Sequence, residues 1–468
     1  MVNRWIVLVA LCFASSGCAT FPENTPLSKY DPQAGYRFGN LSAPSNSDKL
    51  FVILTFSGGG TRAAALSYGV LETLRDTTIA VDGETRRLLD EVDVISSVSG
   101  GSFTSAYYAL FREKIFVDFT ETMLYRDIEG DLLSGLLNPG NWGKLLSPTY
   151  SRSDMAAEYY DEHIFQGKTF AALVADGRRP FILLNATDVS LGASFRFSQD
   201  GFDWLCSDLS SLPVARAVTS SSAFPIAFPP LTLRNFPINR CQYTPPKWVK
   251  FALKDFSLNP RRYRQAQNLM SYLGEDRPFI HLVDGGIGDN IGLRAPLEAM
   301  SSSDSSWSIQ ERINSGAIER LVVIIVDAKT MPPTTLDQEA DPPGVATVLE
   351  KAATVPMDNF SFDTIDLLRD GFQERKKAAQ NVRACAKKLK DACNADLGIA
   401  PPPYPAQYRI HVNFEAIADP KQREYFLTLP TTLTLPKDQV DKIVGMGQTL
   451  LRESPEFQKL LKDLQEGL

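Results

Sequence analysis

The sequence predicts an α/β protein, a three-layer sandwich with a mostly parallel central sheet. Two observations carry this. Short apolar runs recur along the chain, as expected of strands covered on both faces. Segments of helical length follow several of them, so strand and helix alternate as in parallel crossover units. A chain of 468 residues is long enough for one large α/β domain with extensions. With 44% hydrophobic and 22% charged residues, its composition is that of an ordinary globular protein.

Taken in order, residues 49–56 (KLFVILTF) read as a buried strand, Ser57-Gly58-Gly59-Gly60 as a turn, and 61–75 as a helix. Residues 92–98 are a second strand and 100–111 a second helix. PFILLNAT (180–187), RPFIHLV (277–283) and LVVIIVDA (321–328) supply three more strands. Residues 408–414 give a last strand, and 439–464 a terminal amphipathic helical region. The irregular, aromatic stretches 112–178 and 200–275 read as insertions over one face, where substrate grooves are commonly built. After 330 a Pro-rich loop leads into helical segments, with a basic stretch from Arg375 to Lys390. That stretch reads as a solvated helix face, with contact to anionic lipid as the alternative.

The first residues have the pattern of an export signal. Arg4 precedes the apolar run 5–14, which is shorter than the roughly 18–20 residues that span a bilayer. Ala14-Ser15-Ser16-Gly17-Cys18 then resembles a bacterial lipobox, with Ser15 where Leu is usual. The resemblance implies a lipidated Cys18 and, with Ala19 following, an outer-membrane lipoprotein facing the periplasm. Residues 19–48, rich in Pro, Ser, Asn and Gly, read as a tether. The domain plan is therefore a signal at 1–18, a tether at 19–48, a catalytic domain at 49–330, and a C-terminal region at 331–468 packed on it. Export places Cys206, Cys241, Cys385 and Cys393 in an oxidising compartment, where disulfides form. The simplest pairing is 206–241 with 385–393. The second bond requires a helix break, since eight helical residues span about 12 Å and a disulfide tolerates about 7 Å between Cα atoms. Their spacing is not that of a zinc site. A net charge of −7 argues against nucleic acid as the partner.

Three short motifs carry chemistry. Ser96-Ser97-Val98-Ser99-Gly100-Gly101 lies between a strand and a helix, the setting in which a sharp turn exposes a nucleophilic serine. Ser97 stands where glycine is usual, but it is small enough for the turn. Ser57-Gly58-Gly59-Gly60-Thr61-Arg62 follows the first strand and opens a helix. Its backbone N–H groups and the helix dipole suit an oxyanion. The same glycines fit G-x-G-x-x-A of a dinucleotide site. That reading needs an acid at the end of the next strand, and Asp82 lies in a polar turn instead. His281-Leu282-Val283-Asp284-Gly285-Gly286 puts an aspartate at a strand end. The chain has three histidines, and none sits on the late loop that a Ser-His-Asp triad requires: His281 and His411 fall in strands and His163 in an insertion. A carboxylate must then take the serine proton, and Asp284 is the candidate.

In this order and spacing, the three motifs resemble those of the patatin-like phospholipase family: G-G-G-x-R, G-x-S-x-G and D-G-G/A. The block 217–230 (AVTSSSAFPIAFPP) resembles a further family segment. The resemblance spans about residues 50–330 and implies the patatin-like fold. It implies Ser99 as nucleophile, Asp284 as base, and Gly58, Gly59 and Gly60 as the oxyanion loop. Arg62, Gly101, Gly285 and Gly286 are then supporting residues, with Arg62 favoured as a brace for the loop. The implied activity is acyl-ester hydrolysis of phospholipid or lysophospholipid, needing no metal or cofactor. The other reading is a non-catalytic envelope lipoprotein that binds acyl chains, which the intact Ser99 and Asp284 disfavour. The expected partners are a lipid substrate and a membrane surface. Burial of Asp284 is expected to raise its pKa.

Overall fold

The computed structural model describes residues 21–466, apart from 45, 82, 226, 332–337, 339 and 394–403. The proposed signal, Cys18 and Asp82 lie outside the described residues. Eight strands form the central sheet: β1 Leu50–Phe56, β2 Val92–Val98, β3 Phe181–Asp188, β4 Ala193–Arg196, β5 Leu231–Arg234, β6 Phe279–Asp284, β7 Arg320–Asp327 and β8 Ala406–Asn413. Their order is β8-β7-β1-β2-β3-β6-β5, with β4 paired to the end of β3. Pairing is parallel from β8 through β3, and antiparallel at β6 and β4. Every residue of β1, β2 and β3 is buried. That is why these strands read as unbroken apolar runs rather than alternating ones.

Helices pack on both sides of the sheet. Those that bear on the site are α1 Gly60–Asp76, α2 Gly100–Phe111, α3 Val214–Ser221, α4 Val345–Cys393, α5 Lys437–Glu453 and α6 Pro455–Gln465. Helix α1 lies against α2 and α5, and α3 against α2, β3 and β6. The terminal helical region is thus two helices, with Pro455 opening the second. β8 is an edge strand of the same sheet, so the region after 330 completes the sheet.

The segment 21–48 is not a loose tether. Thr25 and Pro26 pair with Asp208 and Ser207. Tyr36, Phe38 and Leu41 are buried in the main core. Arg37 is held by Asp200 at 2.6 Å and Asp203 at 2.7 Å. Its polar composition hid three apolar anchors. Cys206 and Cys241 form a disulfide. The other expected bond is not made. Helix α4 runs unbroken through Cys393, and Cys385 is free and exposed.

Candidate active site

The sheet register brings the motifs together. Val98 at the end of β2 pairs with Asn185 of β3, and Ala186 pairs with Asp284 of β6. Ser99, the next residue after β2, therefore stands level with Asp284, two strands away. Phe56, which ends β1 before the glycine loop, pairs with Ser97, one row before Val98.

Ser99 has φ 48° and ψ −120°, a left-handed conformation unusual for a residue with a Cβ. Such a conformation costs on the order of 1–3 kcal/mol and persists where its surroundings fix it. Here the Ser99 N–H donates to Ser221 Oγ at 2.9 Å, and Ser221 Oγ donates to the Asn185 carbonyl at 2.6 Å. Ser102 Oγ joins Ser221 Oγ at 2.9 Å. Ser97 fits without glycine because its buried hydroxyl meets Ser105 Oγ at 2.6 Å. The turn also packs backbone on backbone: a Cβ on Gly100 would fall 2.0 Å from the Gly60 carbonyl oxygen.

Asp284 is buried, its carboxylate accepts a hydrogen bond from the Gly286 N–H at 2.7 Å, and the Ser99 side chain lies near enough to influence its titration. Burial pushes its pKa up to about 6, against the lowering effect of the Gly286 N–H and the nearby Ser99 hydroxyl, and no charged side chain contributes to the shift. The peptide after β6 is pinned by the last residue of α3 and by Ala223 just beyond that helix: Asp284 N–H donates to Ala223 O at 2.9 Å and Gly285 N–H to Ser221 O at 3.0 Å. The 217–230 block is thus seated at the site. The hydrogen bonds of the histidines lie elsewhere. His163 meets the Tyr159 carbonyl and His281 meets Thr232. His411 Nε2 is 3.6 Å from Asp327.

The glycine loop differs from expectation in one respect. The Gly58 N–H already donates to the Asn290 carbonyl at 2.9 Å, so it is not a free donor. Gly58 instead supplies bare backbone: a Cβ there would meet Asn290 Oδ1 at 2.5 Å and Ser99 Cβ at 3.2 Å. Among the described residues, the N–H groups of Gly59 and Gly60 have no acceptor, whereas Thr61 N–H donates to Thr432 O at 2.9 Å. Arg62 braces the loop. Its guanidinium is buried and donates to the carbonyls of Ala328, Leu429 and Pro430 and to Thr431 Oγ1. The C-terminal segment 429–432 therefore holds the glycine loop in place.

Asn185 and Asn290 belong to no motif in the sequence, and Ser221 lies in the 217–230 block without anything there marking it as the acceptor of the Ser99 N–H. Asn290 Oδ1 is buried without a hydrogen-bond donor and faces Gly58 and Gly286. Met357 of α4 lies against Gly286, so this helix crosses over the Asp284 turn. Beside that turn is an apolar cavity of about 480 Å³, walled by Val189, Pro225, Phe228, Pro229, Val283 and Ile287.

Residues 54–297, just over half the chain, match the model of the family described as patatin-like phospholipase. The chain belongs to the patatin-like phospholipase family. Among solved structures, human GIVD cytosolic phospholipase A2 is similar at 12% identity and TM-score 0.44, over 90% of this chain and 63% of that one. VipD from Legionella pneumophila is similar at 12% identity and TM-score 0.27, over 90% of this chain and 70% of that one. The patatin-like chain thus spans less than two thirds of the human protein. No curated protein sequence matches it.

Proposed function

We propose that this chain is a serine acyl hydrolase that cleaves phospholipid or lysophospholipid acyl esters through a Ser99–Asp284 dyad. The observation that carries the reading is Ser99, held on a strained strand–helix turn and set by the sheet register level with a buried carboxylate, Asp284, that has no cationic partner. Asp284 accepts the hydroxyl proton as Ser99 Oγ attacks the ester carbonyl. The N–H groups of Gly59 and Gly60 receive the negative charge on the carbonyl oxygen. The tetrahedral intermediate collapses, and the departing alcohol takes the proton from Asp284. Water then attacks the acyl-serine, giving its proton to Asp284, and the second collapse returns that proton to Ser99. The apolar cavity beside the Asp284 turn offers room for an acyl chain.

The test is release of fatty acid from mixed-micelle phosphatidylcholine, phosphatidylethanolamine and their lyso forms, read by mass spectrometry. Release by the unaltered chain and none by Ser99→Ala supports the hydrolase, and the fatty acid released gives the acyl position. Background release from both proteins on all substrates favours the acyl-binding reading instead.

We further propose that Cys18 carries acyl chains that tether the protein to the outer membrane, facing the periplasm. The lipobox-like run supports this. A Cys18→Ser protein that still fractionates with the outer membrane would remove that part of the reading.

A further inference from the structure

Asn290 stands on the turn that follows Asp284, and its backbone is fixed on both sides. Its carbonyl accepts from the Gly58 N–H at 2.9 Å. Just before it Asp289 N–H donates to Gly285 O at 2.9 Å, and just after it Gly292 N–H donates to Asp289 O at 3.1 Å. The buried Asp289 carboxylate accepts from the N–H groups of Leu293 at 3.2 Å and Arg294 at 2.8 Å. The side chain is therefore placed by its surroundings, yet its Oδ1 is buried with no donor among the described residues. A buried acceptor left unpaired costs free energy, so it calls for an explanation. Its neighbours supply one. A Cβ on Gly286 would meet Asn290 Oδ1 at 2.8 Å and Asp284 Oδ1 at 3.0 Å, with Met357 Cε at 2.6 Å as an apolar wall. A Cβ on Gly58 would meet the same amide oxygen at 2.5 Å and Ser99 Cβ at 3.2 Å. One amide oxygen thus neighbours both members of the dyad. A water with ordinary hydrogen bonds can bridge acceptors up to about 6 Å apart. Two oxygens that flank the same point of Gly286 at these distances lie within that span. Asn290 as a whole is only partly buried, so solvent reaches the residue.

We propose that Asn290 Oδ1 orients the water that releases the acyl chain, and so selects water over an alcohol as the acyl acceptor. The inference rests on the proposed Ser99–Asp284 hydrolase and concerns the second half of its reaction. The acceptor must give a proton to Asp284 as its oxygen bonds to the carbonyl carbon of the acyl-serine. Water has a second O–H, which donates to Asn290 Oδ1 and is not transferred. Two hydrogen bonds then aim the attacking lone pair. The tetrahedral intermediate collapses and the bond to Ser99 Oγ breaks. Ser99 takes the proton back from Asp284, and the fatty acid leaves. An alcohol has one O–H, and Asp284 receives it. It has none left for Asn290 Oδ1, so it gains nothing from that residue. The same holds for the departing alcohol of the first half, whose single O–H proton comes from Asp284. Asn290 therefore acts in deacylation.

The test is how one acyl-enzyme divides between two acceptors. The full chain is given a dispersed short-chain p-nitrophenyl ester in buffer containing methanol. Methyl ester and free acid are measured by mass spectrometry, with Ser99→Ala supplying the baseline. Only molecules that reach the acyl-enzyme enter the ratio, so a partly unfolded variant does not distort it. Both acceptors use Asp284, so the strength of that base cancels. Asn290→Ala is expected to raise the ratio of methyl ester to acid about tenfold, the effect of one hydrogen bond. Asn290→Leu, which keeps most of the volume without the oxygen, is expected to raise it equally. Asn290→Asp keeps the oxygen and is expected to hold the ratio of the unaltered chain. An unchanged ratio in Asn290→Ala or Asn290→Leu overturns the proposal. So does a rise that Asn290→Asp shares, which would trace to something other than the lost oxygen. Neither product from the unaltered chain removes the hydrolase reading and this inference with it. Both products, in a ratio that no variant moves, remove this inference alone.

Discussion

Strand β2 carries one reactive-looking environment at each end, and the two differ in what touches a buried carboxylate. At its start, Asp93 is fully buried and accepts from Arg179 at 2.7 Å and from the Val52 N–H at 2.9 Å. Beyond its other end, across two strands, Asp284 is equally buried, accepts from the Gly286 N–H and lies near Ser99. Burial raises both, Asp93 to about 7 and Asp284 to about 6. A raised pKa therefore does not tell the two apart. The partner does. Asp93 faces a guanidinium that is permanently charged, so nothing there can gain or lose a proton usefully. Asp284 faces a hydroxyl whose proton can be transferred. Other buried aspartates follow the Asp93 pattern: Asp154 pairs with Arg216, Asp188 with Arg277 and Asp203 with Arg37, each at 2.7 Å. The fold neutralises these four buried carboxylates with arginine, and leaves Asp284 to a serine.

The largest expected effect is on catalysis. Asp284→Asn and Ser99→Ala should each lower ester hydrolysis by about a thousandfold or more. Asp93→Asn should leave the turnover of the folded fraction within about threefold, because it touches no reacting atom. A comparable catalytic loss in Asp93→Asn would erase the distinction between the two ends.

Stability should move the other way. Arg179→Met strands the Asp93 carboxylate and should cost about 3–5 kcal/mol, read from urea unfolding. Asp284→Asn should stabilise instead. The folded pKa of Asp284, about 6, lies above the ordinary value of 3.8, so the fold prefers the protonated acid. The ionised form is therefore a penalty, complete above pH 6 and gone once the pH falls below about 4. Removing the charge should gain on the order of 2 kcal/mol at pH 7.5 and nothing near pH 4. A loss of stability at pH 7.5 would mean that Asp284 is there to hold the fold.

The smallest effect is in the pH profile. Asp284 must be ionised to accept a proton, so hydrolysis should fall as the pH drops through about 6 and level off above it. A flat profile from pH 4 to 8 would show that another group serves as base.

Much of this arrangement was legible in the sequence because its causes are local. The strands β1, β2 and β3 are covered on both faces, so their apolar runs marked them to within a residue or two. Ser99 and Asp284 stand beside glycines that the packing of the turns demands. What was illegible depends on distant contacts. Strands β4 and β5 have four residues each and are only partly buried, which leaves too little pattern. Helix α4 carries Pro356 in its interior and leaves Val345, Val348, Leu349, Val355 and Phe362 exposed, so its periodicity did not point to the core. The Gly58 N–H is occupied by Asn290, and Ser221 fixes the backbone of Ser99 from 122 residues away. Neither relation has a sequence signature. The segment 21–48 looked like a tether because Tyr36, Phe38 and Leu41 are few among polar neighbours.

The most direct test of the central claim is the rate at which a fluorophosphonate ester labels the protein, with the adduct located by peptide mass. We expect a single adduct on Ser99. We expect its formation to slow at least about a hundredfold in Asp284→Asn and to be unchanged in Asp93→Asn. Labelling at another residue, or equal rates in Asp284→Asn and the unaltered chain, would contradict the account.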